Sequence, residues 1–327
     1  MRRHTQFRLF TRLLACLLLL PALTPAALAQ DRWFKVELLI FGNTAGGTTE
    51  QWDAAPVLAY PGAARFLVEP DKLAANAKKY RGTSRTDEYG RQMLSLPAGR
   101  GATRSTDIPG AANATPTAAR AGSPTPFVAL PATQREFRGK AAYMQRSGRY
   151  RTLFHESWVQ PVRGQANSLP IVLDRSGDTG QWPLLQGSVT IHLSRYLHIS
   201  TNIWLNTTGD YLPGEWRMPA PPLGPPSVLV DGQPLSALAE TSAPTPGPAG
   251  PAYQGSAAAG ATEAAMAEQT GPVYPFRHAV QLQQKRRMRS GEVHYIDHPM
   301  LGVVVKLTPL SDEDLKTLAL AESNQAR

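Results

Sequence analysis

Residues 283–302 hold the densest group of side chains in this chain that could recognise a ligand. Four cations stand within five positions, and an acid, two histidines and an Asp-His-Pro turn follow them. Arginine suits carboxylates because two N–H groups of one guanidinium meet two oxygens. The segment therefore indicates recognition of an anionic group, and its charged residues and histidines are Lys285, Arg286, Arg287, Arg289, Glu292, His294, Asp297 and His298.

A strand over residues 280–290 would place Lys285, Arg287 and Arg289 on one face, and alternation turns that face towards solvent. The charges would then repeat about every 6–7 Å, which is two residues of strand rise. Such a row could follow a polymer that carries carboxylates. The alternative is a charged sheet edge whose role is to block strand addition.

Arg286 has the opposite register and would point with the apolar residues of the same strand. A buried guanidinium needs an acidic partner, so we expect a structural role for this residue. We therefore expect Arg286→Ala to lower stability more than Arg287→Ala does. The candidate partners are Glu292, Asp297 and Glu156.

His294 and His298 are four residues apart, a spacing that would join two metal ligands on a helix. Pro299 follows directly, and the surrounding pattern is strand and turn. We therefore predict hydrogen-bonded turn histidines and no metal site. No serine elbow, P-loop or H-E-x-x-H motif occurs in the sequence, which favours a protein without catalytic residues or cofactor. A hydrolase built on His294, Asp297 and His298 remains a third alternative.

Six tryptophans could stack on sugar rings, although most tryptophans are core or loop anchors. Trp204 falls on the polar register of its predicted strand, and Trp182 precedes a proline. We therefore select Trp182 and Trp204 as ligand-binding candidates.

The N-terminus has the pattern of a secretory signal peptide: four arginines, a short apolar run and a small-x-small cleavage site that ends at Ala29. The apolar run is about half of the ~20 residues that a spanning helix needs, so no transmembrane segment is expected after cleavage. The single cysteine, Cys16, lies within this signal, and a lipoprotein processing site there is the less favoured alternative. The exported chain would have no disulfide and would depend on an ordinary hydrophobic core.

The formal charge is +9, and removal of the signal's four arginines leaves 30 basic and 25 acidic residues, a net +5. This excess favours polyanionic partners such as wall polymer, whereas nucleic acid is a poor candidate outside the cytoplasm. The alternative is a basic surface with no specific partner.

The element pattern predicts an α+β fold, a mostly antiparallel sheet with about two helices. The helices are expected over residues 133–147 and 311–321, and the clearest hairpin over 184–205. Further strands are expected at 33–41 (with Lys35 and Glu37 on a solvated face), 149–161 and 169–173. Residues 279–290 and 303–308 are predicted to pair with each other around the Asp-His-Pro turn.

Two stretches, residues 82–126 and 213–270, are rich in Pro, Ala, Gly, Ser and Thr and poor in large apolar groups. Such segments bury too little surface to offset the entropy of ordering, so we predict disordered insertions. The predicted organisation is a signal at residues 1–29 and one domain over 30–327.

Four segments together resemble the CsiV family: WFKVELLIF after the signal, YRTLFHESWVQP, GSVTIHLSRYLHI and QQKRRMRSGEVHYIDHPMLGVVV. They cover about a third of the exported chain. The resemblance implies a periplasmic, non-enzymatic protein of the Gram-negative envelope that binds peptidoglycan and supports wall synthesis. It also implies work with a class A penicillin-binding protein and its lipoprotein activator. An adaptor that binds only proteins, through the same edge strand, is the alternative.

Overall fold

The computed structural model describes residues 32–44, 52–97, 122–237 and 272–325. The predicted signal and residues 98–121 and 238–270 of the predicted insertions lie outside the described residues. The strands are β1 (Arg32–Asn43), β2 (Arg65–Phe66), β3 (Thr83–Thr86), β4 (Gln92–Ser95), β5 (Tyr150–Val162), β6 (Ile171–Val172), β7 (Leu185–Leu193), β8 (Leu197–Thr207), β9 (Val228–Val230), β10 (Gln233–Pro234), β11 (His278–Met288), β12 (Val293–Ile296) and β13 (Leu301–Pro309). The helices are α1 (Pro70–Tyr80), α2 (Arg138–Arg146), α3 (Ser176–Thr179) and α4 (Asp312–Gln325).

The first sheet has the strand order β12-β13-β1-β5, with every neighbouring pair antiparallel. β1 is central and is buried on both faces, as its apolar sequence requires. Phe34, Val36 and Leu38 contribute to the main core, whereas Leu39 and Phe41 pack towards α2 on the opposite face. This sheet confirms the predicted α+β class with mostly antiparallel pairing.

The second sheet has the order β11-β8-β7-β6-β2 and is antiparallel except for the short β2–β6 pair. The predicted hairpin is confirmed as β7–β8, in register from Leu185 opposite Leu205 to Leu193 opposite Leu197. Alternate residues of β7, β8 and β11 join residues of the first sheet in one core. The two sheets therefore pack against each other, and the second sheet keeps one face away from the main core.

The predicted helices are confirmed with changed boundaries. α2 begins at Arg138 because the buried Glu37 carboxylate accepts the backbone N–H groups of Glu136 (2.7 Å) and Phe137 (2.8 Å) just before it. α4 has a reciprocal cap, in which Asp314 N–H donates to Ser311 Oγ (3.2 Å) and Ser311 N–H donates to the Asp314 carboxylate (2.9 Å). The solvated face predicted for Glu37 is wrong, since its side chain is 2% exposed.

The third sheet, with the order β10-β9-β4-β3, lies within the flanks of the two predicted insertions. Leu94 from one flank packs with Val228 and Val230 from the other, and α1 covers them with Ala77 and Tyr80. The predicted insertion boundaries are therefore too wide. Such short strands carry little periodicity, and the parallel β4–β9 pair joins residues more than 130 positions apart.

The predicted pairing of residues 279–290 with 303–308 is wrong. β11 pairs with β8 along its whole length, and β13 pairs with β12 and β1. A period-2 pattern identifies a strand but not its partner. The short β12 returns the chain to the first sheet after the turn at Gly291, whose φ is +79°.

Candidate functional site

The second sheet presents a polar surface opposite to the main core. Cross-strand register aligns its side chains in three rows over β7, β8 and β11. We call this surface the outer face, and its rows are Ser188–Asn202–Gln283, Thr190–Ser200–Lys285 and His192–His198–Arg287. The apolar residues that alternate with them are buried in the core, so the alternation itself creates the polar surface.

An open groove of about 550 Å³ lies on the outer face. Its floor offers hydroxyl and amide groups, and its wall is the segment from Ala59 to Pro61 together with Pro170. Such groups donate and accept hydrogen bonds without a fixed charge, which suits a ligand rich in hydroxyls and amides. The floor consists of Ser188, Thr190, Ser200, Asn202 and Gln283, and Lys285 lines the rim.

Tyr60 holds the wall of the groove in place. Its hydroxyl donates to the Asp174 carboxylate (2.7 Å), and its ring meets the edge of Trp204 with centroids 5.1 Å apart. Burial and the Asp174 charge raise the pKa of Tyr60 well above its ordinary value, so it stays a neutral donor. Asp174 also accepts the backbone N–H of Gly187 on β7, which ties the wall to the floor.

Lys285 is exposed on the solvent-facing side of β11, as predicted, and it stands at the rim of the groove. Within the described chain its ammonium donates a long hydrogen bond, 3.3 Å to Oε1 of Gln165. An exposed bond of this length is easily exchanged for a better acceptor.

Arg287 is also exposed, and its guanidinium lies 4.0 Å from the ring centroid of Tyr196 in the β7–β8 turn. Tyr196 itself is 40% exposed and adjoins Arg195, whose guanidinium is 5.6 Å from the same ring. The end of the outer face thus combines an accessible aromatic ring with two cations.

Arg289 departs from the predicted row because it lies in the turn after β11. Its guanidinium is 3.6 Å from the exposed Glu292 carboxylate, and its backbone N–H donates to Nε2 of His294 (3.0 Å). These contacts close the turn between β11 and β12. The predicted row of three cations is therefore a pair, Lys285 and Arg287, with Arg289 beside it in a turn.

The prediction that Arg286 is buried against an acid is wrong. Its side chain is exposed, and no acid of the described chain lies within ion-pair distance of it. It pairs with Ile199 of β8, and its own strand, β11, is at the edge of the second sheet. At an edge, the apolar stem of a long side chain can cover apolar surface while its guanidinium reaches water. Glu156, one of its predicted partners, instead pairs with Arg135 at 2.5 Å.

Asp297 and His298 lie in the predicted turn, and both are hydrogen-bonded there. Asp297 accepts the Tyr295 hydroxyl (2.7 Å), and the Met300 N–H donates to Nδ1 of His298 (3.2 Å). The His298 ring stacks on Trp52 with centroids 4.7 Å apart, and burial lowers its pKa. Among the residues that the structure describes, no three metal-ligating side chains cluster.

The prediction of ligand-binding tryptophans is not supported by their positions. Trp204 is fully buried, and its indole N–H donates to Gln186 (3.2 Å). Trp182 is half-buried, donates to the Pro221 carbonyl (2.7 Å) and packs on Tyr274. Trp204 lies on the outer-face register as predicted, but the segment that carries Tyr60 covers that end of the sheet.

Of the residues that line the groove, the prediction names Lys285 but not Tyr60 of the wall. It also gives no ligand-binding role to the serine, threonine and asparagine positions of β7 and β8, or to Tyr196 beside the groove. The strict alternation of those strands was a usable signal, because it places several hydroxyls on one surface. The covering segment at residues 59–61 gives no such signal in the sequence.

A sequence model of one family, described as "Peptidoglycan-binding protein, CsiV", matches residues 10–310. No curated protein and no solved structure matches the chain. Within the described residues, no helix has the length and apolar character to cross a membrane. The match covers nearly all of the 327 residues, including those of the wall, floor and rim of the groove. This chain therefore belongs to the CsiV family of peptidoglycan-binding proteins.

Proposed function

We propose that this protein is a periplasmic, non-enzymatic accessory protein of cell-wall synthesis that holds peptidoglycan on the outer face of its second sheet. The observation that carries the proposal is the open polar groove with Lys285 at its rim and Arg287 beside it. A polymer can lie along an open groove, whereas a closed pocket would admit only a chain end. The family description supports the same ligand.

The chemistry of the groove matches that of the wall polymer. Hydroxyl and acetamido groups of the glycan meet the hydroxyls of Ser188, Thr190 and Ser200 and the amides of the floor. Carboxylates of the stem peptides meet Lys285 and Arg287, the second of which offers a planar fork. Tyr196 replaces the predicted tryptophans as the accessible ring for stacking on a sugar.

The balance of charge on the groove-bearing strands favours an anionic ligand. β7, β8 and β11 contain no Asp or Glu, whereas β11 alone contains three cations. Exposed charges are screened over about 8–10 Å at physiological salt. Binding should therefore weaken as salt rises.

The test is co-sedimentation of the exported chain, residues 30–327, with washed sacculi at low and high salt. The variant K285A/R287A should lose most of the pelleted fraction at low salt. The matched control K140A/R146A removes the same charge from the exposed side of α2 and should pellet like the wild type. Equal losses in the two variants would mean that net charge alone explains the binding. Failure of the wild type to pellet would reject the proposal.

A second variant separates the groove from the cations. Ser200→Trp fills the floor without a change of charge, since Ser200 lies between Thr190 and Lys285. It should abolish pelleting at every salt concentration while far-UV circular dichroism stays unchanged. Retained pelleting would place the ligand outside the groove.

One observation favours the rival function, an adaptor that binds proteins only. β11 is the outer strand of the second sheet, and no strand of the described chain pairs with its free edge. Such an edge can accept a strand from a partner. The class A penicillin-binding protein and lipoprotein activator implied by the resemblance are the partners to test. This rival predicts that sacculi pellet the chain only when the partner is added.

A further inference from the structure

His192 is a buried side chain whose polar atoms are used by no residue of the described chain. It lies on β7 at the end of the outer face, and its side chain is 1% exposed. Neither ring nitrogen has a hydrogen-bond partner among the residues that the structure describes. Buried polar groups in native proteins are nearly always paired, so two unpaired nitrogens on one ring require an explanation.

The described groups of β8 and β11 that act on His192 are basic. From β8, the His198 ring stacks on it with centroids 5.1 Å apart and planes 12° apart. From β11, Lys285 raises the local positive potential, and Arg287 stands opposite His198. The β5–β6 connection passes alongside, where the Arg163 carbonyl accepts the Leu193 N–H (2.7 Å).

The described elements around His192 supply no acid: β7, β8, β11, the β7–β8 turn and residues 163–168 contain no Asp or Glu. The first acid that follows β11 in the sequence is Glu292, which lies 3.6 Å from Arg289. A buried imidazole among cations with no counter-charge is the arrangement expected where a ligand supplies the anion.

We propose that His192, His198 and Lys285 form a subsite for a carboxylate group at the β7–β8 end of the groove. This inference deepens the proposed function, on which it rests, because it identifies a free carboxylate of the wall polymer as the group that is recognised. That carboxylate is carried by a stem peptide, or by the lactyl group where the glycan has no stem peptide. The carboxylate replaces Gln165 as the acceptor of the Lys285 ammonium, whose present bond is 3.3 Å long. It also accepts an N–H from the His192–His198 pair.

The subsite makes binding depend on pH. Burial, together with the charges of Lys285 and His198, lowers the pKa of His192 in the free protein. A bound carboxylate favours the charged imidazole and therefore raises that pKa. Linkage then requires that affinity for the carboxylate rise as pH falls through the His192 pKa of the complex towards the lower pKa of the free protein, by up to roughly tenfold for each unit of pKa change on binding.

The experiment compares two sugars that differ in one carboxylate. Imidazole resonances of His192 and His198 are followed by NMR as a function of pH, with N-acetylmuramic acid or with N-acetylglucosamine, which lacks the lactyl group. The acid should raise the His192 pKa and the neutral sugar should not. No change with the acid at its solubility limit would overturn the subsite.

Variants then test the assignment. His192→Phe keeps an aromatic ring but cannot be protonated, and it should remove the pH dependence of sacculus pelleting. His294→Asn is the control, since it removes a histidine of β12, which pairs with β13 in the first sheet, away from the outer face. If His192→Phe does not fold, the wild-type titration still decides the question.

The two proposals fail in different ways. Sacculi that pellet the wild type, combined with an unchanged His192 titration, would reject the subsite and retain the proposed function. A His192 titration that responds to N-acetylmuramic acid, with no pelleting by sacculi, would retain the carboxylate subsite and reject binding of the intact wall.

Discussion

Glu37 of β1 lies against His155 of β5, with 2.8 Å between Oε1 and Nε2, deep in the first sheet. Burial alone would raise the pKa of Glu37. The hydrogen bond from His155 and the N–H groups of Phe137 and Glu136 outweigh burial and lower that pKa. One carboxylate therefore joins β1, β5 and the start of α2.

Glu37→Gln should reduce the free energy of unfolding by roughly 1–3 kcal/mol, because the amide cannot accept all three donors and leaves buried N–H groups unpaired. Urea unfolding followed by circular dichroism measures this change. Glu292→Gln is the control, because Glu292 is exposed and has one distant partner, so it should change little. Equal effects in the two variants would contradict the role of the buried carboxylate.

The same contact predicts how stability depends on pH. A carboxyl whose folded pKa lies below its unfolded value stabilises the protein above the unfolded pKa. That stability is lost as pH falls through the folded pKa. The wild type should therefore lose stability as pH falls below the ordinary value of 4.5, and Glu37→Gln should lack this component. Unfolding midpoints of both proteins between about pH 6 and pH 3 measure the difference.

Glu37 also marks the limit of prediction from the sequence. β5, the β7–β8 hairpin and α4 were predictable because their patterns are local, with period 2 or with a capped first turn. The alternation of β1 placed Glu37 correctly opposite the main core. It could not show that α2, about 100 residues away, covers that second face. Burial of a residue depends on a partner that the local pattern does not contain.

Trp204→Ala should destabilise the protein by about 3–5 kcal/mol, the range for large side chains removed from a core. Trp204 is fully buried, bonds Gln186 and supports the Tyr60 wall. Thermal unfolding measures the loss, and Trp216→Ala, at a residue that is 44% exposed, should cost far less. A stable Trp204→Ala protein that had lost only ligand binding would instead restore the role first predicted for this residue.

Arg287→Ala should cost more stability than Arg286→Ala, the reverse of the expectation from the sequence. The Arg287 guanidinium lies over the Tyr196 ring, a contact worth about 0.5–1 kcal/mol at an exposed site. Arg286 has no such contact within the described chain, and surface substitutions of this kind change stability by less than about 0.5 kcal/mol. Denaturant unfolding of both variants beside Tyr196→Ala checks the order. A larger loss for Arg286→Ala would mean that its side chain is buried in solution.

The groove could be predicted only in part, because it also depends on contacts between distant parts of the sequence. The cations of β11 and the hydroxyls of β7 and β8 lie in different parts of the sequence, and only the β11–β8 register brings Lys285 beside Ser200. The sequence predicted a different partner for β11, so it separated these groups. Physically, long-range strand pairing is decided by the whole core, to which Leu282 and Met288 contribute from β11.

Gly187→Ala should destabilise the floor of the groove. Gly187 has φ of +113°, and an added Cβ would lie 2.2 Å from the Asn202 carbonyl oxygen and 2.7 Å from the Ile203 Cα. Both contacts are with backbone atoms of β8, so the strands must separate. We expect a loss of more than about 2 kcal/mol, because the steric contact adds to the 1–2 kcal/mol of the left-handed backbone.

Gly291→Ala is the matched control, since Gly291 also has positive φ (+79°) but nothing within 4 Å of an added Cβ. It should cost only the backbone contribution, about 1–2 kcal/mol. Urea unfolding of both variants separates the two contributions.

Because Asn202 also donates to the Ala59 carbonyl (2.9 Å), displacement of β8 at Gly187 should open the wall of the groove. Sacculus binding should then fall in Gly187→Ala even where the protein remains folded, and should remain normal in Gly291→Ala. Equal stability losses, or equal binding, would show that β8 tolerates the methyl group without moving.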